Sequence, residues 1–128
     1  MSGAPATMAY EVRSKRTGHL FGYVDDPGEV DGWTTRHGLD VRPVRRHRLK
    51  TWPEYFADVA AERKPFEVRR NDRDFREGDL LDLVEFEPQT GRESGKIVTR
   101  RAGYILRGPG FGIEAGYCVI GLEKANAI

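Results

Sequence analysis

Apolar and polar residues alternate along this chain with two different periods, and the changes of period divide it into elements. Short β-leaning runs at Tyr10 to Lys15 and His19 to Val24 flank Arg16-Thr17-Gly18, a composition suited to a hairpin turn. Asp25-Asp26-Pro27-Gly28 punctuates the chain, and residues 29–44 are polar and turn-rich, with Trp33 and Val41 as isolated apolar points. Alternation resumes in Arg46 to Lys50, where His47 and Leu49 are set among Arg46, Arg48 and Lys50. The period then becomes helical. Trp52, Tyr55, Phe56, Val59 and Ala60 fall on one stripe, Thr51 and Glu54 form a capping box, and Pro53 sits in the first turn, where it removes no needed donor. Pro65 ends the helix after Lys64.

From there the period is two. Lys64 to Asp79 reads as a strand, Phe66 to Arg70, followed by the turn-like Asn71-Asp72 and the tight turn Glu77-Gly78-Asp79. One face of that strand should be buried and the other, carrying Glu67 and Arg69, presented to a cleft or to water. Leu80 to Glu87 has apolar residues on both faces at its start, as a well-buried strand should. Pro88 to Gly95 connects it to Lys96 to Leu106, whose Gly103 predicts a bend or bulge, and a glycine-rich loop, Arg107 to Gly116, leads to a last strand, Tyr117 to Leu122. The fold class is therefore α+β, mainly β, and a small, mostly antiparallel barrel with one main helix is the economical packing. The domain spans 45–124. Residues 1–44 form an N-terminal extension, partly disordered or a short hairpin, too poor in apolar groups to fold alone. Its first nine residues are small and featureless, and are expected to be disordered or a remnant of expression.

With 128 residues, the chain is long enough for one domain with a real core. No run approaches the roughly 18 apolar residues of a membrane span, and Met1 to Met8 lacks the charged-then-apolar order of a secretory signal, so a soluble, cytoplasmic protein is expected. The single cysteine, Cys118, sits in the apolar run Tyr117 to Ile120 and reads as a small core residue. A net charge of +1 conceals segregation: basic segments at 45–50, 63–76 and 96–107 alternate with acidic ones at 51–62 and 77–95. Gathered in space, the basic segments would make a patch suited to a phosphate-bearing partner.

Lys64, Glu67 and Arg69 make a compact set: a donor-only cation, an acceptor, and a planar fork that matches phosphate or a base edge. The bland alternative is a structural ion pair tying helix to strand. Arg70, Arg73 and Arg76 add positive charge, although Asp72 and Asp74 stand ready to neutralise it. His19, His37 and His47 have no metal spacing, and Asp79 after Gly78 is explained by its turn, so neither a metal nor a cofactor is expected. Gly108-Pro109-Gly110-Phe111-Gly112 fails as a phosphate loop because no Lys-Ser/Thr follows and a strand, not a helix, comes next. Phe111, Tyr117, Trp52 and Tyr104 are candidates to stack a base, each competing with a core role.

Taken together, His47-x-Leu49-Lys50-Thr51-x-Pro53-x-Tyr55-Phe56, Lys64-x-Phe66-Glu67-x-Arg69-x-Asn71-Asp72-Arg73-x-Phe75-x-x-Gly78-Asp79, Glu85-Phe86, Gly108-x-Gly110-x-Gly112 and Gly116-Tyr117 resemble the ASCH-like domains of the PUA-like superfamily over residues 46–122. It is similar to a small branch of unestablished function. The resemblance implies a PUA-like barrel of five to six mostly antiparallel strands with one main helix at its mouth, and a cleft near that helix, lined by the Lys-x-x-Glu-x-Arg residues, that binds RNA or a modified nucleotide. On that reading Lys50, Lys64, Arg69, Arg70 and Arg73 hold phosphate, Glu67 accepts from a base or ribose, and an aromatic side chain stacks. Some relatives are hydrolases. One group deacetylates an acetylated cytidine with a lysine, a threonine three residues later and a distant glutamate; Lys64 matches the lysine, but Glu67 stands where the threonine would be. Metal-assisted RNA cleavage is also attributed to an ASCH-type protein. The alternative function is therefore a small hydrolase, ribonuclease-like or nucleoside-modifying, acting through Lys64 and Glu67, and a third is an adaptor that takes a protein partner on its N-terminal extension.

Overall fold

The computed structural model describes residues 6–30 and 38–125. Trp33, His37 and the first five residues lie outside them. Among the described residues seven strands, β1 (Thr7–Ser14), β2 (Leu20–Val24), β3 (Leu39–Thr51), β4 (Phe66–Arg70), β5 (Leu80–Glu87), β6 (Arg92–Arg107) and β7 (Tyr117–Lys124), form one sheet in the order β2-β1-β3-β5-β6-β7-β4. The α-helix among the described residues, α1 (Pro53–Ala60), lies between β3 and β4. The mainly-β, α+β class holds. Five of these strands, β3 to β7, fall in the 45–124 domain apart from the start of β3, and the other two belong to the N-terminal extension. Every pairing is antiparallel except that of β3 with β5, and among the described residues the hydrogen-bonded ladder does not close into the expected barrel, leaving β2 and β4 at its ends. The parallel pair follows from the chain path, because α1 and β4 occupy the crossover that a parallel connection requires.

The N-terminal extension belongs to this sheet. β1 and β2 form the expected hairpin, and β1 continues as the antiparallel neighbour of β3 from Thr7↔Arg46 to Ser14↔Leu39. Ala9 is fully buried beside Tyr23 and Leu80, so residues 7–9 are ordered strand, contrary to the expectation that they would be featureless. β3 is longer than its apolar pattern suggests. Leu39 to Val44, inside the stretch read as turn-rich, is held by β1, and Leu39 joins Val12, Val24 and Val30 in a second core cluster.

The main core gathers Leu49, Phe75, Leu81, Ala102, Ile105, Cys118 and Ile120. Cys118 is a core residue as expected, and burial pushes its thiol above the ordinary cysteine value. The β6–β7 register shifts between Ala102 and Ile105, which confirms the bulge expected at Gly103. Beneath the core, His47 and Asp79 are buried and joined at 2.8 Å, and Asp79 Oδ2 also accepts from Arg45 Nη2 at 2.9 Å and from the Arg76 backbone N–H at 3.1 Å. Asp79 thus does more than form its turn: it draws three separate donors onto one oxygen.

Because Val12 sits in a cluster shared by the hairpin and β3, Val12→Ala should cost about 2 kcal/mol of global stability. Urea unfolding checks this; a single transition shifted to lower midpoint is expected, whereas an unchanged main transition would show the hairpin to be energetically separate.

Candidate functional site: a cleft between β3 and β4

Beyond Arg46 the pairing of β3 changes sides. Its first part, Leu39 to Arg46, is held by β1; its last part, Arg46 to Thr51, is held by β5. The edge that β1 leaves faces β4, the terminal strand of the sheet, without a ladder between them. Side chains cross the gap instead. Arg69 Nη2 donates to Lys50 O at 2.8 Å and to Thr51 Oγ1 at 3.3 Å, and Arg73 Nη1 donates to Arg48 O at 2.8 Å. Burial lowers the Arg73 guanidinium below its ordinary value, with Asp72 opposing and Arg69 adding to the shift.

The faces of β4 are the reverse of what apolarity alone predicts. Glu67 and Arg69 pair with Ile120 and Cys118 and so share the core-facing side of the sheet, where Glu67 is only 3% exposed. Phe66 (42%) and Val68 (53%) face out. Charge is tolerated inside because it is paired: Glu67 Oε1 accepts from Lys64 Nζ at 2.7 Å and Oε2 from Arg69 Nε at 2.8 Å, while Lys64 Nζ also reaches Phe66 O at 3.0 Å. The ion pair weighed as the bland reading therefore exists, and it is a three-residue network that also shapes the wall of a cleft.

This cleft encloses about 460 Å³ and is lined by Lys50, Thr51, Trp52, Tyr55, Lys64, Glu67, Val68, Arg69 and Arg70. Four cations surround one carboxylate that is already engaged by two of them. Trp52 and Tyr55 stack on one another, with ring centroids 6.1 Å apart and planes 25° apart, and each is about half exposed. The helical stripe thus divides: Phe56 and Val59 enter the core, whereas Trp52 and Tyr55 form an aromatic shelf at the cleft. The expected capping box does not form. Thr51 ends β3 and its hydroxyl serves Leu49 O and Arg69; the cap position is Trp52, with no side-chain bond to the helix.

Of the residues singled out from the sequence, Lys50, Lys64, Glu67, Arg69 and Arg70 meet here. Arg73 does not line the cleft; it braces the gap from below. The basic segments 45–50 and 63–76 come together; of 96–107, Arg107 reaches the second of them at Phe75 O, whereas Arg100 turns to Val59 O and Arg101 to Glu123, and no residue of that segment lines the cleft. Among the aromatic candidates Trp52 lines the cleft, Tyr117 lies beside it under Arg70 at 5.4 Å, and Tyr104 and Phe111 stand exposed outside its lining. Tyr55 and Val68 were not singled out for the site; Tyr55 stood in the helical stripe, but nothing in that stripe marks which apolar positions leave the core. Among the described residues no group of three His, Cys, Asp or Glu side chains is placed to hold a metal ion.

Glu67→Gln should destabilise the fold by about 2–4 kcal/mol, because it leaves two partly buried cations short of their counter-charge. Chemical denaturation measures this; a loss below about 0.5 kcal/mol would mean that solvent already screens the network.

No curated protein matches the chain. The model of a family described as a domain of unknown function (DUF3850) matches residues 46–122, a span that opens where β3 passes from β1 to β5 and contains every residue of the cleft. The chain belongs to that family.

Proposed function

We propose that the protein binds RNA or a modified nucleotide in the cleft between β3 and β4, as an ASCH-like member of the PUA-like superfamily whose sheet curls towards a barrel. The observation that carries this reading is the juxtaposition of a solvent-facing Trp52/Tyr55 shelf with Lys50, Lys64, Arg69 and Arg70 around one space. A planar ring and an anion bound side by side are what a nucleotide offers, and aromatic stacking with cationic backbone contacts is the sequence-tolerant way to hold a single strand. Lys50 is the natural phosphate contact, since it is exposed and, among the described residues, its ammonium forms no hydrogen bond or ion pair, lying instead 4.8 Å from the centre of the Phe86 ring.

The hydrolase alternative draws less support from the geometry. Each oxygen of Glu67 already accepts a charge-assisted hydrogen bond, and Lys64 spends two donors on Glu67 and Phe66 O. A water-activating base would have to break one of these contacts first.

Fluorescence anisotropy with short single-stranded RNA should show affinity falling as salt rises, with a log–log slope near −0.7 for each phosphate contacted. Lys50→Ala should reduce that slope by roughly one such increment. Trp52→Ala should weaken binding by about 1–3 kcal/mol with the slope unchanged. Absence of any salt-dependent binding at micromolar protein would overturn the proposal.

A further inference from the structure

Among the described residues, strand β4 leaves part of its main chain unpaired inside the cleft. In its antiparallel ladder with β7, Leu122 N–H donates to Pro65 O and Asn71 N–H donates to Gly116 O, at 2.9 and 2.7 Å. Hydrogen-bonded positions alternate in such a ladder, so Glu67 and Arg69 exchange bonds with β7 while the N–H and C=O of Phe66, Val68 and Arg70 point the other way, to the free edge. The carbonyl of Phe66 is occupied by Lys64 Nζ. Farther along, the Arg69 and Arg73 side chains span the gap to β3. What remains open is a short length of edge centred on Val68, which lines the cleft together with Trp52 and Tyr55.

An open edge normally invites another strand. Here the edge is too short, closed by the Lys64 contact on one side and by the arginine bridges on the other. It matches a smaller object: a donor and an acceptor adjacent on one rigid, planar edge. Every nucleobase has such an edge, and a ring resting on the aromatic shelf would bring it against the strand.

We propose that the cleft reads the hydrogen-bonding edge of a nucleobase through the N–H and C=O of Val68, with the base lying against Trp52 and Tyr55. The proposal rests on the nucleotide-binding reading above and adds to it the element that recognises the base. Recognition by the main chain is indifferent to the Val68 side chain. It depends on an unblocked donor–acceptor pair on the ligand, and so it discriminates against bases whose edge carries an N-methyl group.

The test uses the full-length protein and two pairs of hexanucleotides at fixed low salt: oligouridine against its N3-methyluridine counterpart, and oligoadenosine against its N6,N6-dimethyladenosine counterpart. At least one unmodified strand should bind about tenfold or more tightly than its methylated form. Val68→Pro removes the free N–H without touching the ladder and should bring both members of that pair to the same weak affinity, whereas Val68→Ala should stay within about twofold of the natural protein. Equal binding of unmodified and methylated strands overturns the main-chain contact and leaves nucleotide binding standing. Binding of no strand at all overturns both. If Val68→Pro proves unfolded by circular dichroism, the methylated strands with the natural protein still decide.

Discussion

The gap between β3 and β4 is the constraint on which the rest of the molecule turns. Two strand edges face each other there without a ladder, and their carbonyls still need partners. Arg69 and Arg73 supply those partners from side chains, reaching Lys50 O and Arg48 O, two residues apart and so on the same edge of β3. A guanidinium suits the task because its planar fork can serve several acceptors at once. Arg69 uses Nε for Glu67 and Nη2 for β3, which joins the inner charge network to the bridge across the gap.

Glu67 follows from the same constraint. An arginine turned inward needs a counter-charge, and a carboxylate in the interior needs at least two donors. Lys64, just beyond the helix, and Arg69, two residues along the strand, provide them at 2.7 and 2.8 Å. The motif Lys-x-x-Glu-x-Arg is thus first a device for folding a charged strand face inward. Because the network is wider than a ladder hydrogen bond, it leaves space, and that space is the cleft.

Much of this was legible in the sequence. The shift from period two to a helical stripe and back located α1 and β4, and the Lys64, Glu67 and Arg69 set was visible from spacing. The inward turn of that set was not, because alternation defines two faces without saying which is buried; Phe66 and Val68 were the natural core candidates, yet Glu67 displaced them by being fully paired. Thr51 met the rule for a helix cap but was claimed by Arg69. The length of β3 was hidden by Asp40, Arg42 and Pro43, whose polarity fits a strand only once β1 is known to lie beside it. Val68 gave no signal at all, since what distinguishes it is the direction of its peptide groups.

The parallel pairing of β3 with β5 has one more consequence. Apart from Lys50 and Thr51 at the end of β3, the whole cleft, from Trp52 to Arg70, lies within the excursion the chain makes between those two strands. The entropy of closing that excursion is therefore the entropy of assembling the cleft. Substitutions that lengthen or stiffen the connection around Asn71 to Asp79 would act on the pocket from a distance, through the position at which β5 locks against β3, without touching any wall of it.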